Sequence, residues 1–162
     1  GRDWQLSTIQ LDWNLPQRFE LEYIDNEGKQ ARPVVIHRAI LGSTERFLGI
    51  MIEHYGGAFP AWLSPVQALI LPISEKFGAY GEEVRQALVS AGFRVELDSR
   101  NESLGKKIRD GKMKKIPYLL VVGEKEESSK TIAVESRDGE SIGAVEIQKF
   151  VDILTEKTKN SQ

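Results

Sequence analysis

A chain of 162 residues has room for one ordinary domain, or for one and part of another. With 40% apolar and 28% charged residues and only six prolines it is a folding sequence rather than a disordered one, and no apolar run approaches the roughly 20 residues that span a bilayer. The absence of cysteine excludes a disulfide framework or a thiolate metal site within the chain, which suits a reducing, cytoplasmic setting; the net charge of −2 hides one basic segment, KKIRDGKMKK at 106–115, with six bases and one acid.

The opening GRDWQLST has neither an initiator Met nor an apolar secretory core, and is expected to come from a chain cut from something longer. Residues 6–13 alternate, with Ile9, Leu11 and Trp13 on one face and Thr8, Gln10 and Asp12 on the other, which predicts a strand with one buried and one polar side. Phe19, Leu21 and Tyr23 repeat the alternation, Asn26-Glu27-Gly28 supplies a turn, and PVVIH at 33–37 gives a third strand. Three consecutive strands predict an antiparallel meander. After Gly42, Ser43 is a suitable N-cap for a helix reaching about residue 55, in which Phe47, Leu48, Met51, Ile52 and Tyr55 fall at helical spacing. Gly56-Gly57 ends it, and AFPAWLSP, with Pro60 and Pro65, is expected to carry a domain boundary. The expected organisation is therefore 1–59, a linker at 60–65, and a second domain at 66–162.

Beyond the linker the pattern changes. Residues 66–73 form a nearly continuous apolar run, as a strand covered on both faces requires. A helix is predicted over 79–91, with a stripe of Tyr80, Val84, Ala87, Leu88 and Ala91 and a stop at Gly92. Phe93, Val95 and Leu97 mark a strand, 103–111 a second helix and 117–122 a third strand; Ile132 and Val134 mark its hairpin partner, and 145–157 a closing amphipathic helix. Strands alternating with helices predict parallel pairing through right-handed crossovers. The fold class read here is α/β: a mixed sheet flanked by helices, preceded by antiparallel strands and a helix. Three strands and one helix in under 60 residues would leave most of their apolar surface uncovered, so the first domain is expected to be incomplete.

Several residues can carry chemistry, each with a plainer alternative. His37 is either a hydrogen-bonded strand-end residue or a metal ligand, and a zinc site would need partners from outside this chain. His54 lies beside the glycine stop, where a solvated C-terminal histidine suffices. Arg46 puts a cation in the first turn of a helix, against the macrodipole; either Glu45 compensates, or Arg46 and the amides of the Gly42-Ser43 turn address an anion such as a nucleotide phosphate. Gln5, Thr8 and Gln10 read equally as a wet strand face or as a site. Lys106, Lys107, Arg109, Lys112, Lys114 and Lys115 crowd one short segment with no acid noted at four-residue spacing, which favours phosphate contact over a merely solvated helix.

Taken together, WQLSTIQLDWNLPQRF, RPVVIHRAILGSTERFLGIMIEHYGGAFPAWLSPVQ and DSRNESLGKKIRDGKMKKIPYLLVVGEKE resemble the C-terminal part of the threonyl-tRNA synthetases, over nearly the whole chain. GSTERFLGIMIEHYGG resembles the third signature motif of class II aminoacyl-tRNA synthetases, and the preceding HRAI the threonine branch. The resemblance implies threonine activation with ATP and Mg, followed by transfer to threonine tRNA. It implies a zinc held by one Cys and two His, with His37 at the last ligand position; the zinc takes the amino group and hydroxyl of threonine, which an apolar pocket cannot tell well from valine. It further implies that Arg46 binds ATP and stabilises charge as the carboxylate attacks the α-phosphate, that Gln5 and Thr8 line the nucleotide site, and that Gln10 lies on the threonine side. The region from residue 64 onward is similar to the family's anticodon-binding domain, with Asn101, Arg109 and Glu126 at positions that contact anticodon bases or the adjoining backbone, and the lysines holding phosphates. At Glu135 the family often carries an arginine facing the anticodon, so the charge is reversed here. The remaining motifs, zinc ligands and the motif that forms the parent homodimer are expected outside this chain, which by itself is expected not to aminoacylate tRNA. The alternative is a freestanding RNA-binding or regulatory module without catalysis.

Overall fold

The computed structural model describes residues 3–139 and 141–159, and the chain divides into two compact units, 1–54 and 55–162. The division falls earlier than the expected end of the first domain at residue 59.

In the first unit, β1 (Thr8–Asp12) runs into a short helix, α1 (Asn14–Arg18), because Asp12 Oδ1 accepts the N–H groups of Asn14 and Leu15 at 2.8 and 3.0 Å. Pro16 is tolerated there, within the first turn, where its missing N–H is not needed. Glu20, at φ 50°, then turns the chain, so the alternation at Phe19, Leu21 and Tyr23 does not become the predicted strand. What remains is a small hairpin of β2 (Tyr23–Ile24) and β3 (Gln30–Ala31), its turn held by Asp25 Oδ1 accepting the Glu27 and Lys29 N–H groups. β4 (Val35–Ala39) pairs antiparallel with β1, Gln10 opposite His37 and Leu11 opposite Ile36. The predicted meander is thus corrected to two separate two-stranded sheets. A polar side chain rewrote the local path where hydrophobic period alone predicted a strand. α2 (Thr44–Tyr55) starts as expected at Ser43, whose Oγ accepts the Arg46 N–H at 3.2 Å. It has no buried residue, and Ile9, Leu11, Ile36, Leu48 and Ile52 all stand exposed.

The second unit holds the core. β5 (Ala68–Pro72), fully buried, is followed by a 3₁₀ turn and α3 (Gly78–Ser90); then come β6 (Val95–Leu97), α4 (Leu104–Met113), β7 (Tyr118–Val122), α5 (Glu124–Ser129), β8 (Thr131–Ser136), β9 (Ser141–Glu146) and α6 (Ile147–Lys159). The sheet order is β6-β5-β7-β8-β9, parallel from β6 to β7 and antiparallel beyond. One face carries Ala68, Ile70, Tyr118, Leu120, Ile132 and Val134, buried with Val84 and Leu88 of α3 and Phe150 and Leu154 of α6. The other carries Leu69, Leu71 and Leu119, packed against Leu104 and Ile108 of α4. α4 comes close because residue 111 is glycine: a Cβ there would lie 2.7 Å from Leu119 Cδ2 and 3.2 Å from Leu69 Cδ2.

In this unit, beyond the 3₁₀ turn, two elements were not predicted. α5 is six residues of EKEESS without an apolar stripe, so periodicity could not reveal it; its acids at the helix start favour it through the macrodipole. β9 occupies 141–146, where the closing helix was expected to begin at 145, and Gly143 takes φ 74° beside the register shift between Val134 and Glu135. The expected linker is also built into this unit. Arg94 Nη2 donates to the Trp62 and Ser64 carbonyls, Gln67 Nε2 to Ala61, and Arg137 Nη1 to Phe59. Gly56 and Gly57, at φ 56° and 78°, end the helix before that point, and the carbonyls around Pro60 and Pro65 become acceptors for Arg94, Gln67 and Arg137.

Asp98, at the end of β6, anchors the loop leading into α4. Its carboxylate accepts Arg100 Nε and Nη2 at 2.9 and 2.7 Å, and Arg100 reaches Asp110 of α4 at 2.9 Å. The hydrogen bonds from Arg100 hold the Asp98 carboxyl below its ordinary range, against burial. A carboxyl depressed in the folded state is stabilising above its unfolded value, near 3.9, and that stabilisation is lost as pH falls through the folded value. Thermal melts between pH 6 and 2 are expected to show a fall at the acid end that D98N makes shallower. Parallel curves for both proteins would rule this out.

Candidate nucleic-acid interface and the polar face of the first unit

Directly opposed residues of an antiparallel pair share a face, so the β1–β4 register sets Thr8, Gln10 and Asp12 beside His37. His37 Nε2 lies 2.9 Å from Asp12 Oδ2, and that bond is the foremost reason the Asp12 carboxyl sits below its ordinary range. An ionised carboxylate only accepts, so Nε2 is the donor in this contact. Among the described residues no group of three His, Cys, Asp or Glu side chains could hold a metal ion. One imidazole with one carboxylate falls short of the three protein ligands of a catalytic zinc, so the residues present do not fit that ion by themselves.

Gln5 lies in the segment leading to β1. A Cβ added at Gly42, at φ 69°, would stand 3.3 Å from the Leu6 carbonyl oxygen, so the turn that starts α2 and the segment holding Gln5 are neighbours. Arg46 projects from the first turn of α2, exposed, and its guanidinium makes no hydrogen bond or ion pair among the described residues. Glu45 therefore does not pair with it. The first unit thus presents an uncompensated cation at a helix start and, on its sheet, a polar face of amide, hydroxyl, carboxylate and imidazole.

In the second unit the basic run divides. Lys107 is 4% exposed, and its Nζ donates to the Asp98 and Pro72 carbonyls at 3.1 and 3.3 Å, fastening α4 to the ends of β6 and β5. That corrects the expectation that Lys107 holds an RNA phosphate. The sequence reading also missed an acid at four-residue spacing: Lys106 pairs with Glu102. Lys112 pairs with Glu135 on β8, and Lys115 donates to the Gly56 carbonyl. Arg109 and Lys114 are the members of the run left exposed and without a partner among the described residues.

The Lys112–Glu135 pair fixes which side of α4 meets β8, and Gly105 and Arg109 share that stripe at helical spacing. Beside it the sheet face beyond Leu119 continues over Ala133, Glu135 and Ala144, with Ala133 half-buried and Ala144 exposed. Small side chains leave room on this half of the face. Asn101 lines an open cleft of about 390 Å³ with Ile73, Ser74 and Lys107 at the carboxyl ends of the parallel strands. Glu126 follows β7 at the same edge, and Gly123 and Ile73 are in close contact there: a Cβ at Gly123 would lie 2.8 Å from Ile73 Cδ1 and 3.1 Å from Glu126 Oε2. Asn101 and Glu126 thus flank the exposed Ile73 at the edge where open α/β sheets take ligands, while Arg109 borders the open face. Ile73, Ala133 and Ala144 were missed as candidates. The only sequence signal was the alternation across 131–136, which marks one apolar face and leaves the other polar and small.

Residues 67–157 match the family described as "Anticodon binding domain". The chain belongs to that family. Residues 1–55 of the same chain match the "tRNA synthetase class II core domain (G, H, P, S and T)". Threonine–tRNA ligases of Acetivibrio thermocellus and Magnetococcus marinus are 51% and 53% identical to it, over 100% and 97% of this chain but 26% and 24% of theirs. The chain thus spans about a quarter of the length of these relatives. Among solved structures, the RNA binding domain of threonyl-tRNA synthetase from Cryptosporidium parvum Iowa II has a TM-score of 0.84 at 41% identity, covering 96% of this chain and 40% of that one. The prolyl-tRNA synthetase of Cryptosporidium parvum, complexed with halofuginone and AMPPNP, has a TM-score of 0.76 at 26% identity, covering 96% of this chain and 34% of that one. The resemblance to threonyl-tRNA synthetases and the mixed sheet flanked by helices, both read from the sequence, are borne out. The anticodon-binding domain accordingly follows a piece of class II core, and no helix among its described residues is long and apolar enough to cross a membrane.

Proposed function

We propose that this chain is the tRNA-reading part of a threonine–tRNA ligase working in the cytoplasm, with the anticodon loop lying on the open β7–β9 face bordered by α4. The observation that carries this reading is the unpartnered Arg109 beside a sheet face of small side chains, in a domain whose family is anticodon-binding. Unpaired loop bases expose flat faces and hydrogen-bonding edges; a sheet with small residues accepts the faces, while amide and carboxylate groups such as Asn101 and Glu126 can read the edges. Arg109 and Lys114 meet phosphate or base, and Lys106 joins them only by leaving Glu102.

The first unit supplies part of a catalytic pocket for threonine activation with ATP and Mg. Its unpaired Arg46 guanidinium suits a nucleotide phosphate, with Gln5 and Thr8 beside the nucleotide and Gln10 toward threonine. His37 can offer one nitrogen to a zinc whose other ligands come from the rest of the ligase. The homodimer proposed for that enzyme likewise draws on parts beyond this chain.

R109M and K114M are each expected to weaken binding of an RNA hairpin carrying the threonine anticodon loop by roughly 5- to 150-fold, from ~1–3 kcal/mol per lost contact. Titrations with base-substituted hairpins separate the roles: a loss uniform across sequences marks a phosphate contact, a selective one a base reader. Unchanged binding of both variants would overturn the interface.

A further inference from the structure

Glu135 puts a carboxylate on the face proposed for RNA, and the side chain it meets is Lys112, on the α4 stripe that carries Arg109. Both partners stand in solvent, with side chains 56% and 43% exposed, so no burial fixes the pair and either group can exchange its partner for another. Neighbouring anchors of α4 are independent of it: Lys107 holds the ends of β5 and β6, Arg100 holds Asp110, and Gly111 seats the helix on Leu119 and Leu69. The Lys112–Glu135 bridge is therefore not needed to seat the helix. Glu135 also sits at the register shift between β8 and β9, opposite Ser141, at the rim of the open face.

We propose that Glu135 is an affinity-setting residue, an internal stand-in for a phosphate that occupies Lys112 until RNA displaces it. Resting on the anticodon reading above, the idea deepens it: the partner is a single-stranded RNA backbone, and Lys112 is its latent third cation beside Arg109 and Lys114. Bound RNA takes over the ammonium, and the released carboxylate turns to solvent near the phosphates. The bridge lowers affinity twice, by competing for the lysine and by repelling the incoming backbone. It thereby disfavours any RNA that offers charge without bases to fill the open face.

The test is hairpin binding by the whole chain, with wild type, E135Q, K112M, the double variant and R109M, at salt concentrations from 50 to 200 mM. E135Q is expected to bind about two- to fivefold more tightly at the low-salt end, the range an exposed ion pair spans. Because bound RNA takes Lys112 in wild type as well, it is K112M, and not E135Q, that should change the dependence of log K on log salt, flattening it by about 0.7 as loss of one single-strand phosphate contact does. The double variant is expected to bind no more tightly than wild type. E135Q that binds equally or more weakly while R109M still loses affinity overturns the latch alone, and means that Glu135 touches the RNA as an acceptor or not at all. R109M that binds like wild type removes the interface, and the latch with it. Coincident melting curves for wild type and E135Q show that the affinity change is not a folding change.

Discussion

Replacing Lys107 by methionine is expected to destabilise the second unit by about 2–5 kcal/mol while leaving hairpin binding by the folded protein nearly unchanged. The side chain is 4% exposed and its ammonium satisfies two backbone carbonyls, at Pro72 and Asp98. Methionine fills similar space but donates nothing, and each buried acceptor left unpaired costs about 1–3 kcal/mol. Relief of the desolvation borne by a buried ammonium offsets part of this, which sets the lower bound. For a unit of this size the loss is expected to appear as a fall in Tm of roughly 10 °C or more. The contrast with R109M is the informative part, because the two cations are two residues apart in one helix. An unaltered Tm together with lost hairpin affinity would return Lys107 to the RNA.

Phe150→Ala is expected to cost about 3–5 kcal/mol, the largest effect of any single truncation considered. Phe150 has no exposure, lies between α6 and the sheet, and meets Tyr118 edge-to-face at 5.4 Å and 82°. Its loss removes the transfer free energy of a buried ring, the aromatic contact and the closing helix's hold on β7. Chemical denaturation should show a lower midpoint with the m-value kept, since the same surface is exposed on unfolding. Phe150→Leu should recover more than half of the loss by refilling the space. Equal midpoints for Phe150→Ala and wild type would mean that α6 is not a structural wall of the domain.

The reach of the sequence differs between the units for a physical reason. In the second unit the strands and helices that build the core are amphipathic or wholly apolar because a neighbour covers them, so the hydrophobic period of 66–73, 79–91 and 117–122 reported the core directly, whereas α5, with no apolar stripe, escaped it. In the first unit the same periodicity misled at 19–23, since Asp12 and Pro16 spent the chain on a helical turn. Family resemblance carried the functional reading further than pattern did: GSTERFLGIMIEHYGG and the whole-chain likeness gave the synthetase branch, where charge counting gave only a basic segment.

Composition and order of residues by themselves determined that this is an α/β chain with parallel crossovers, an N-capped helix at Ser43, stops at Gly56 and Gly92, and a concentration of cations at 106–115. Lys106 has its partner, Glu102, at local spacing, but only the tertiary structure decided what Lys107, Lys112 and Lys115 do. A lysine's role depends on which acceptor lies within about 3 Å of its ammonium, and Pro72, Asp98, Glu135 and Gly56 are brought there from distant parts of the chain. Charge is written locally, whereas its neutralisation is a property of the fold.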